Sequence, residues 1–482
     1  VAAVVQVRRA DRHRSGGRGG SLSHQPGKAG KARRDKRMNP ATGGLGYANR
    51  AMKRFFNTTG PCRAGKHYML PPEARLPAVQ LLVEREQYFV VHAARQTGKT
   101  TTMRALAAQF RRQGMVAIHV TLETSQGIAD LAHAEELWMA AILSAAGPDL
   151  PAHQQPPPMP NAAPGARLGS WFAAWSDQLK PVPLVIFLDE ADVVRGEPLI
   201  NLLRQLRAGF HHRPTNFPAS ISMIGMRDLR DYLTAAKDGT PSNPGSPFNV
   251  KAESLTLRGF TEDEVATLYA QHTADTGQVF LPEALARAFH WSQGQPFLVN
   301  ALGLACMDKV VPERAEAITA AHIDAAKEIL VLSRTTHLHS LGERLKESRV
   351  APIISRVVTG DDDVPAGDDY EYCVDLGLLS AKARPACIAN PLYREVIARE
   401  LSLQAQDNLI LPRVAWRRPN GQLDAKVLVG TFLAWWRENS GFAMRNTPEA
   451  YAEALVHLTF MAFLQKVVNG GGQIQREYAA GT

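Results

Sequence analysis

The sequence has few of the features that place a chain in a membrane or an oxidising compartment. No apolar run reaches the length of a membrane-spanning helix. Only four cysteines occur in 482 residues, they lie far apart, and none belongs to a C-x-x-C pair. This spacing indicates neither a disulfide framework nor a structural zinc site. We therefore expect a soluble protein of the reducing cytoplasm, without a membrane partner.

Net charge is also absent outside one terminal segment. The formal charge of +9 belongs entirely to residues 1–37, where eleven Lys and Arg face two acidic residues. The segment is rich in Gly, Ser and Arg, so we expect residues 1–54 to form a disordered basic tail. Such a tail could bind nucleic acid through phosphate contacts. Because the chain begins with Val1 and Met38 opens a more ordinary sequence, we favour a misassigned translation start instead.

The strongest motif that is present lies between Tyr88 and Phe110, YFVVHAARQTGKTTTMRALAAQF. A run of β-forming residues is followed by a loop ending in Gly98-Lys99-Thr100, and then by an apolar stripe with helical spacing. The loop matches G-x-x-x-x-G-K-[ST] except that Ala93 replaces the first glycine. Its flanks favour a phosphate-binding loop over an ordinary turn with a surface lysine. The predicted ATP-binding residues are Ala93, Ala94, Arg95, Gln96, Thr97, Gly98, Lys99, Thr100 and Thr101.

A second motif follows a continuous apolar run at 184–188. Such a run is typical of a strand in the middle of a parallel sheet. Asp189 and Glu190 come directly after it. We predict that Thr100 and Asp189 hold Mg²⁺ and that Glu190 polarises the attacking water. The alternative is a surface turn, because many strands end in acidic residues.

Arg227 follows the next predicted strand, at 219–226. A guanidinium at this position could contact the γ-phosphate and report hydrolysis. A salt bridge to Asp228 or Asp231 is the alternative.

The remaining chain suggests an α/β P-loop NTPase fold with a parallel sheet core, followed by helical regions. We predict the core at 55–250, a helical lid at 251–335, a winged-helix-like domain at 336–405 and a helical segment at 406–482. In the core, His67, Tyr68 and Met69 are candidates for packing against adenine, and the equal alternative is that they only fill a loop. The winged-helix-like region could contact DNA, but it has no dense basic face, so interdomain packing is favoured.

These residues together resemble the bacterial AAA-like ATPases of the STAND class. The resemblance covers about residues 55–482 and rests on HAARQTGKTT, VIFLDEAD, GMRDLRDYL, GQPFLVNA, IANPLYREVIAREL and FLQKVVNGGGQIQREY. It implies phosphate and Mg²⁺ contacts at Lys99 and Thr100, metal-binding and water-directing acids at Asp189 and Glu190, and a sensor at Arg227. It also identifies Gly294 and Pro296 as the lid motif that couples nucleotide state to domain arrangement.

Relatives in this group often end in a restriction-endonuclease-like nuclease domain. The resemblance implies that 406–482 leads into a truncated domain of this kind, with Glu477 as a remnant and no nuclease activity. The preferred function is therefore a slow Mg²⁺-dependent ATPase that acts as a switch. The alternatives are a non-hydrolysing nucleotide-binding scaffold that contacts DNA, or the remnant of an ATPase–nuclease fusion. A protein partner and a nucleotide-dependent oligomer are compatible with the resemblance, but the sequence identifies neither.

Overall fold

A five-stranded parallel sheet forms the centre of the computed structural model, which describes residues 54–226, 251–333, 336–361, 363–407, 424–445 and 455–467. The spatial order is β2-β3-β4-β1-β5, and every pairing is parallel. The strands are β1 Tyr88–His92, β2 Val116–Thr121, β3 Leu184–Asp189, β4 Ser220–Gly225 and β5 Lys251–Thr256. This architecture confirms the predicted α/β P-loop fold.

Helices cover both faces of the sheet, which explains why its central strands are apolar at nearly every position. Val90, Ile186 and Met223 face one hydrophobic cluster, whereas Val91, Phe187 and Ile224 face the other. The first cluster packs against α3, α4 and α5, and the second against α1 and α2. These helices are α1 Ala78–Glu84, α2 Lys99–Arg112, α3 Leu131–Asp149, α4 Arg167–Leu179 and α5 Gly196–Gly209.

Strand β5 is an element that the sequence analysis missed. Its sequence, KAESLT, contains little apolar character, and the strand pairs only with β1 at the edge of the sheet. An edge strand needs less burial than a central one, so it leaves a weak pattern in the sequence. Strand β5 lies within the range predicted for the lid, and we propose that the core continues to Thr256.

The sequence analysis also missed helix α4. This helix holds in place the proline-rich segment that precedes it, residues 151–164. Trp171 donates its indole N–H to the carbonyl of Pro157 at 2.8 Å, and Trp175 donates to Gln154 at 3.0 Å. Both indole rings are fully buried. The proline-rich segment thus packs against its own domain.

Four α-helices among the described residues follow the sheet in the region predicted to be a lid, a name that we keep for them: α6 Glu262–Thr276, α7 Pro282–Ser292, α8 Pro296–Ala305 and α9 Ala320–Leu332. Thr261 and Glu264 form a capping box at the start of α6. Gly294, with φ of +74°, separates α7 from α8. The segment before α1 packs against this lid, with the Phe56 ring against Tyr269 and Arg54 paired with Asp275.

The region predicted to be winged-helix-like contains α10 Thr336–Arg344, α11 Ala351–Thr359, α12 Asp368–Asp375 and α13 Pro391–Asp407. Between α12 and α13, the described residues form one antiparallel bridge, Leu379 with Ile388. A complete wing is not defined by this bridge, so the winged helix stays a prediction. One hydrophobic cluster joins the lid to this region, with Leu298 and Leu392 among its buried members. That cluster agrees with interdomain packing.

Two further helices, α14 Ala425–Arg445 and α15 Leu455–Val467, pack around Phe432 and Phe463. The glycine run and Glu477 lie outside the described residues, as does the predicted basic tail up to residue 53. Of the helices that the structure describes, none combines the length and the apolar character needed to cross a membrane.

His337 at the lid interface should make stability depend on pH. Its ring is buried beside Phe297, its Nε2 lies 2.5 Å from the hydroxyl of Tyr393, and burial with the nearby Arg95 charge lowers its pKa to about 4. The unfolded chain binds a proton near pH 6.5 whereas the folded chain does not, so stability is lost as pH falls from there toward about 4. We expect this loss to reach about 3 kcal/mol.

The measurement is the free energy of unfolding in urea between pH 7 and pH 4.5. His337→Gln, which keeps a partner for Tyr393, should flatten the slope, whereas replacement of the exposed His133 by Gln should not. Parallel slopes for the parent and His337→Gln would contradict the assignment.

Candidate nucleotide-binding site

The loop between β1 and α2 has a backbone that only certain residues adopt easily. Gly98 precedes α2 with φ of +91°, in the left-handed region that disfavours residues with a Cβ. A Cβ at this position would also lie 3.2 Å from Nη1 of Arg75. Gln96 adopts φ of +57°, and the Thr97 hydroxyl donates to the carbonyl of Ala94 at 2.8 Å. The sequence therefore produces a tight turn at the positive end of α2.

Lys99 occupies the interior of this turn. Its ammonium donates to the carbonyls of Ala93 at 2.8 Å and Ala94 at 3.0 Å, and the residue is 7 % exposed. Burial lowers the pKa of Lys99, although the charges of Glu190 and Asp189 act in the opposite direction. The loop carbonyls thus hold a buried cation at the wall of a cavity.

The structure brings the second motif to the same wall. Thr100 Oγ1 donates to Asp189 Oδ2 at 2.8 Å, although strand β4 lies between β1 and β3. Asp189 Oδ1 accepts the backbone N–H of Glu190 at 3.0 Å. Since parallel strands end at the same edge of the sheet, the loop after β1 and the acids after β3 converge.

His119 on β2 is a member of this cluster that the sequence analysis missed. Its Nε2 lies 2.9 Å from Asp189 Oδ2, and both side chains are buried. Burial alone would raise the pKa of Asp189, but the hydrogen bonds and charge from His119, together with the Thr100 hydroxyl, hold that pKa below its usual range. A histidine within the otherwise apolar stretch VAIHV was the available signal.

Glu190 has a strained backbone and a perturbed carboxyl group. Its φ of +55° places a non-glycine residue in the left-handed region, a feature that concentrates at functional sites. Burial and the neighbouring charges of Asp192 and Asp189 raise the pKa of Glu190. A carboxyl group with a raised pKa is a better proton acceptor near neutral pH.

Lys99, Thr100 and Glu190 line a cavity of about 1150 Å³ to which several parts of the chain contribute, whereas Asp189 and His119 are not among its lining residues. The core contributes Gly98 to Thr101 with Arg95, Gln96 and Glu190, whereas Ala93, Ala94 and Thr97 lie behind this wall and shape the loop. The lid and the region after it also reach the cavity. Their lining residues are Pro296, Phe297, Asn300, Arg344, Tyr372 and Leu376.

The segment before α1 contributes to the cavity lining, but through residues other than the predicted His67, Tyr68 and Met69. His67 and Tyr68 are buried, with the Tyr68 ring packed against Phe56 in the lid cluster, and neither they nor Met69 line the cavity. The lining instead includes Asn57 and Cys62, whose N–H donates to Thr101 Oγ1 at 3.0 Å. Adenine packing at 67–69 therefore stays a prediction. The Tyr68 ring packs against His272 of the lid, and the His67 ring packs against Phe55.

Arg227 lies outside the described residues, so its role as a sensor stays a prediction. The preceding residue, Met226, lines the cavity.

Thr100 at the cavity wall and Asp189, which accepts its hydrogen bond, form a donor set that fits Mg²⁺. One hydroxyl and one carboxylate meet at Thr100 and Asp189, and Mg²⁺ in nucleotide sites takes one or two protein oxygens together with phosphate oxygens and water. Within the described ranges, no group of three or more His, Cys, Asp and Glu residues forms a metal site by itself. The arrangement therefore suits a cation that arrives with a phosphorylated ligand.

Three features define a P-loop nucleotide-binding domain. They are the strand order, the phosphate loop, and the strand β3 that ends in acidic residues. A family model described as an AAA domain matches residues 83–233, which include β1 to β4 and both motifs. This part of the chain therefore has the P-loop fold and is similar to AAA domains, a class that binds nucleotides, commonly with Mg²⁺.

Comparison of structures supports the same fold. A Walker-type ATPase of Pyrococcus abyssi superposes with a TM-score of 0.52 at 13% identity, covering 71% of this chain and 99% of the other. The ORC2 protein of Aeropyrum pernix gives 0.40 at 17% identity, covering 72% and 96%, and RuvB of Thermotoga maritima gives 0.37 at 15%, covering 67% and 93%. Of these three, the first supports the fold, and the scores of the other two are too low for an argument. No curated protein matches the sequence significantly.

Gly98→Ala should lower the free energy of unfolding by more than the strain of a Cβ at positive φ would by itself. The substitution places a Cβ at positive φ and against the Arg75 guanidinium, whereas Gly114 has φ of +88° with nothing within 4 Å of its Cβ position. We expect Gly114→Ala to cost about 1–2 kcal/mol and Gly98→Ala to cost more. Urea unfolding of both variants provides the measurement, and equal losses would argue against a tight contact at Gly98.

Proposed function

We propose that the protein binds ATP in this cavity, hydrolyses it with Mg²⁺, and uses the cycle as a slow conformational switch. The observation that carries the proposal is the 2.8 Å hydrogen bond from Thr100 Oγ1 to Asp189 Oδ2. It joins the start of α2 to the end of β3 at a cavity large enough for a nucleotide. A phosphate loop and a strand-end acid pair that meet in this way are the two halves of a nucleotide-hydrolysing site.

Lys99 and the loop backbone would bind the phosphates. The ammonium is already in place, and among the described residues its hydrogen-bond acceptors are neutral loop carbonyls, so phosphate oxygens would be stronger partners. The positive end of α2 adds to the attraction. Thr100 and Asp189 are the residues that would hold Mg²⁺, which when bound neutralises charge on the phosphate oxygens.

Glu190 would orient the attacking water and accept its proton. Its carboxyl group lines the cavity next to Asp189, and its raised pKa brings its basicity closer to neutral pH. The hydrogen bond from its own N–H to Asp189 fixes the start of the segment that carries it. Asp189 thereby positions both the metal-binding hydroxyl and the base.

The switch is supported by the composition of the cavity wall. Residues from the core, the lid and the region after the lid all reach it, including Lys99, Phe297 and Tyr372. A ligand that contacts all three parts binds their closed arrangement preferentially, and its hydrolysis removes some of those contacts. The STAND class remains our proposal for the finer family, supported by the lid break at Gly294, which is followed by the cavity-lining Pro296.

Lys99→Ala should abolish ATP binding. Loss of a buried charged hydrogen-bond partner costs about 2–5 kcal/mol, which corresponds to about 30-fold to several thousand-fold in affinity. Binding of a fluorescent ATP analogue with Mg²⁺ would measure this loss. Lys180→Ala, on the exposed end of α4, serves as the control, and unchanged affinity in Lys99→Ala would disprove the site.

Glu190→Gln should keep ATP binding and remove turnover. The amide preserves the shape of the side chain but cannot accept the proton, and loss of a general base lowers rates by about 10²–10⁴-fold. Phosphate release by purified protein is the measurement. Glu123→Gln is a matched control, since Glu123 also lines the cavity. A parent protein that binds ATP without releasing phosphate would favour the non-hydrolysing scaffold.

A further inference from the structure

A buried arginine outside the cavity wall contacts the back of the phosphate loop. Arg75 ends a short 3₁₀ helix before α1 and is 8 % exposed. Its Nη1 donates to the carbonyl of Thr97 at 2.8 Å, and its Nη2 donates to the carbonyl of Arg258. The guanidinium also lies over the ring of Phe260, 4.8 Å from its centroid. Arg75 therefore joins the phosphate loop to the connection between β5 and α6.

That connection is tied in turn to the break in the lid. The N–H of Phe260 donates to the carbonyl of Gly294 at 2.7 Å, and a Cβ on Gly294 would lie 1.9 Å from the carbonyl oxygen of Phe260. The next residue, Gln295, directs its Nε2 back to the loop carbonyls of Arg95 at 3.4 Å and Gln96 at 3.5 Å. These contacts form a closed ring. It runs from the phosphate loop to Arg75, from Arg75 to 258–260, from there to 294–295, and from Gln295 back to the phosphate loop.

The charge of Arg75 is unusual for a residue with a purely structural role. Within the described part of the chain, it makes no recorded ion pair, and its buried Nε has no hydrogen-bond partner. The nearby carboxylate of Glu264 is bound by Arg258 and by the N–H of Thr261. A buried cation that is held by neutral carbonyls is costly, so its placement behind a phosphate-binding loop requires an explanation.

We propose that Arg75 is a positioning residue that couples occupancy of the phosphate loop to the position of the lid. Because Nη1 and Nη2 are parts of one rigid planar group, a shift of the Thr97 carbonyl is passed to the carbonyl of Arg258. Arg75 does not line the cavity, so it acts through the loop backbone. The inference rests on the proposed nucleotide binding for its ligand, but the ring of contacts exists without one.

The test compares Arg75→Met and Arg75→Lys with a control arginine of the same chemistry. Arg213 donates its Nε to the carbonyl of Glu86 at 2.6 Å and lies over the ring of Phe210, at the opposite end of β1. Arg213→Met removes a comparable set of contacts far from the phosphate loop. Full-length proteins are examined by hydrogen–deuterium exchange, with and without Mg²⁺ and ATP.

Without nucleotide, Arg75→Met should raise exchange in both 94–98 and 257–261 by about tenfold, since charged hydrogen bonds to both segments are lost. Arg75→Lys should not keep exchange slow in both segments, because one ammonium cannot bind the two carbonyls as the planar guanidinium does. Arg213→Met should leave these two segments unchanged. The proposal would be overturned if Arg75→Met raised exchange in only one of the two segments. It would also be overturned if Arg75→Lys showed the exchange of the parent protein in both.

With nucleotide, ATP should slow exchange of both segments in the parent protein, but only of 94–98 in Arg75→Met. Protection of 257–261 that survives in Arg75→Met would also overturn the proposal. If ATP protects neither segment in the parent, the proposed function fails, while the exchange measured without nucleotide still decides whether Arg75 couples the loop to the lid.

Discussion

The carboxylate of Asp189 is the point on which the arrangement of the site depends. Its two oxygens interact with a hydroxyl from α2, a histidine from β2 and the backbone of the residue that follows. A carboxylate that is buried to this extent needs such partners, because an unpaired charge in the interior is strongly destabilising. The same partners fix the distance between the phosphate loop and the acid-tipped strand. Asp189 therefore satisfies a requirement of folding and shapes one wall of the cavity at the same time.

The lid is joined to the sheet domain on one side and to the following helices on the other, and the two joints differ chemically. Near the cavity, Arg75 and Gln295 donate to backbone carbonyls of the phosphate loop. Such contacts change as the loop backbone changes. This sensitivity is what a lid that responds to a nucleotide requires.

Further from the cavity, the lid is fixed to the following helices by compensated charges. Lys327 on α9 is 2 % exposed and binds Glu395 on α13 at 2.9 Å, and it also pairs with Glu328. Arg399 extends the network to Glu328 at 3.2 Å. Separating α9 from α13 would part the buried Lys327 from Glu395, so this surface resists separation. We infer that the lid and α13 behave as one unit, whereas the joint with the phosphate loop is the part that can adjust.

The sequence by itself determined the elements whose signals are local. Gly98-Lys99-Thr100 after a β-forming run predicts a strand, a turn and a helix, and the apolar run before Asp189 predicts a buried strand, because these patterns depend on neighbouring residues. Only the tertiary structure decided the strand order, the place of β5 at the sheet edge, and the meeting of His119 and Arg75 with the site. Nothing in the spacing of residues 75, 97 and 258 indicates that one guanidinium joins their backbones. Contacts between distant segments arise from the packing of the whole chain, and local periodicity carries no record of them.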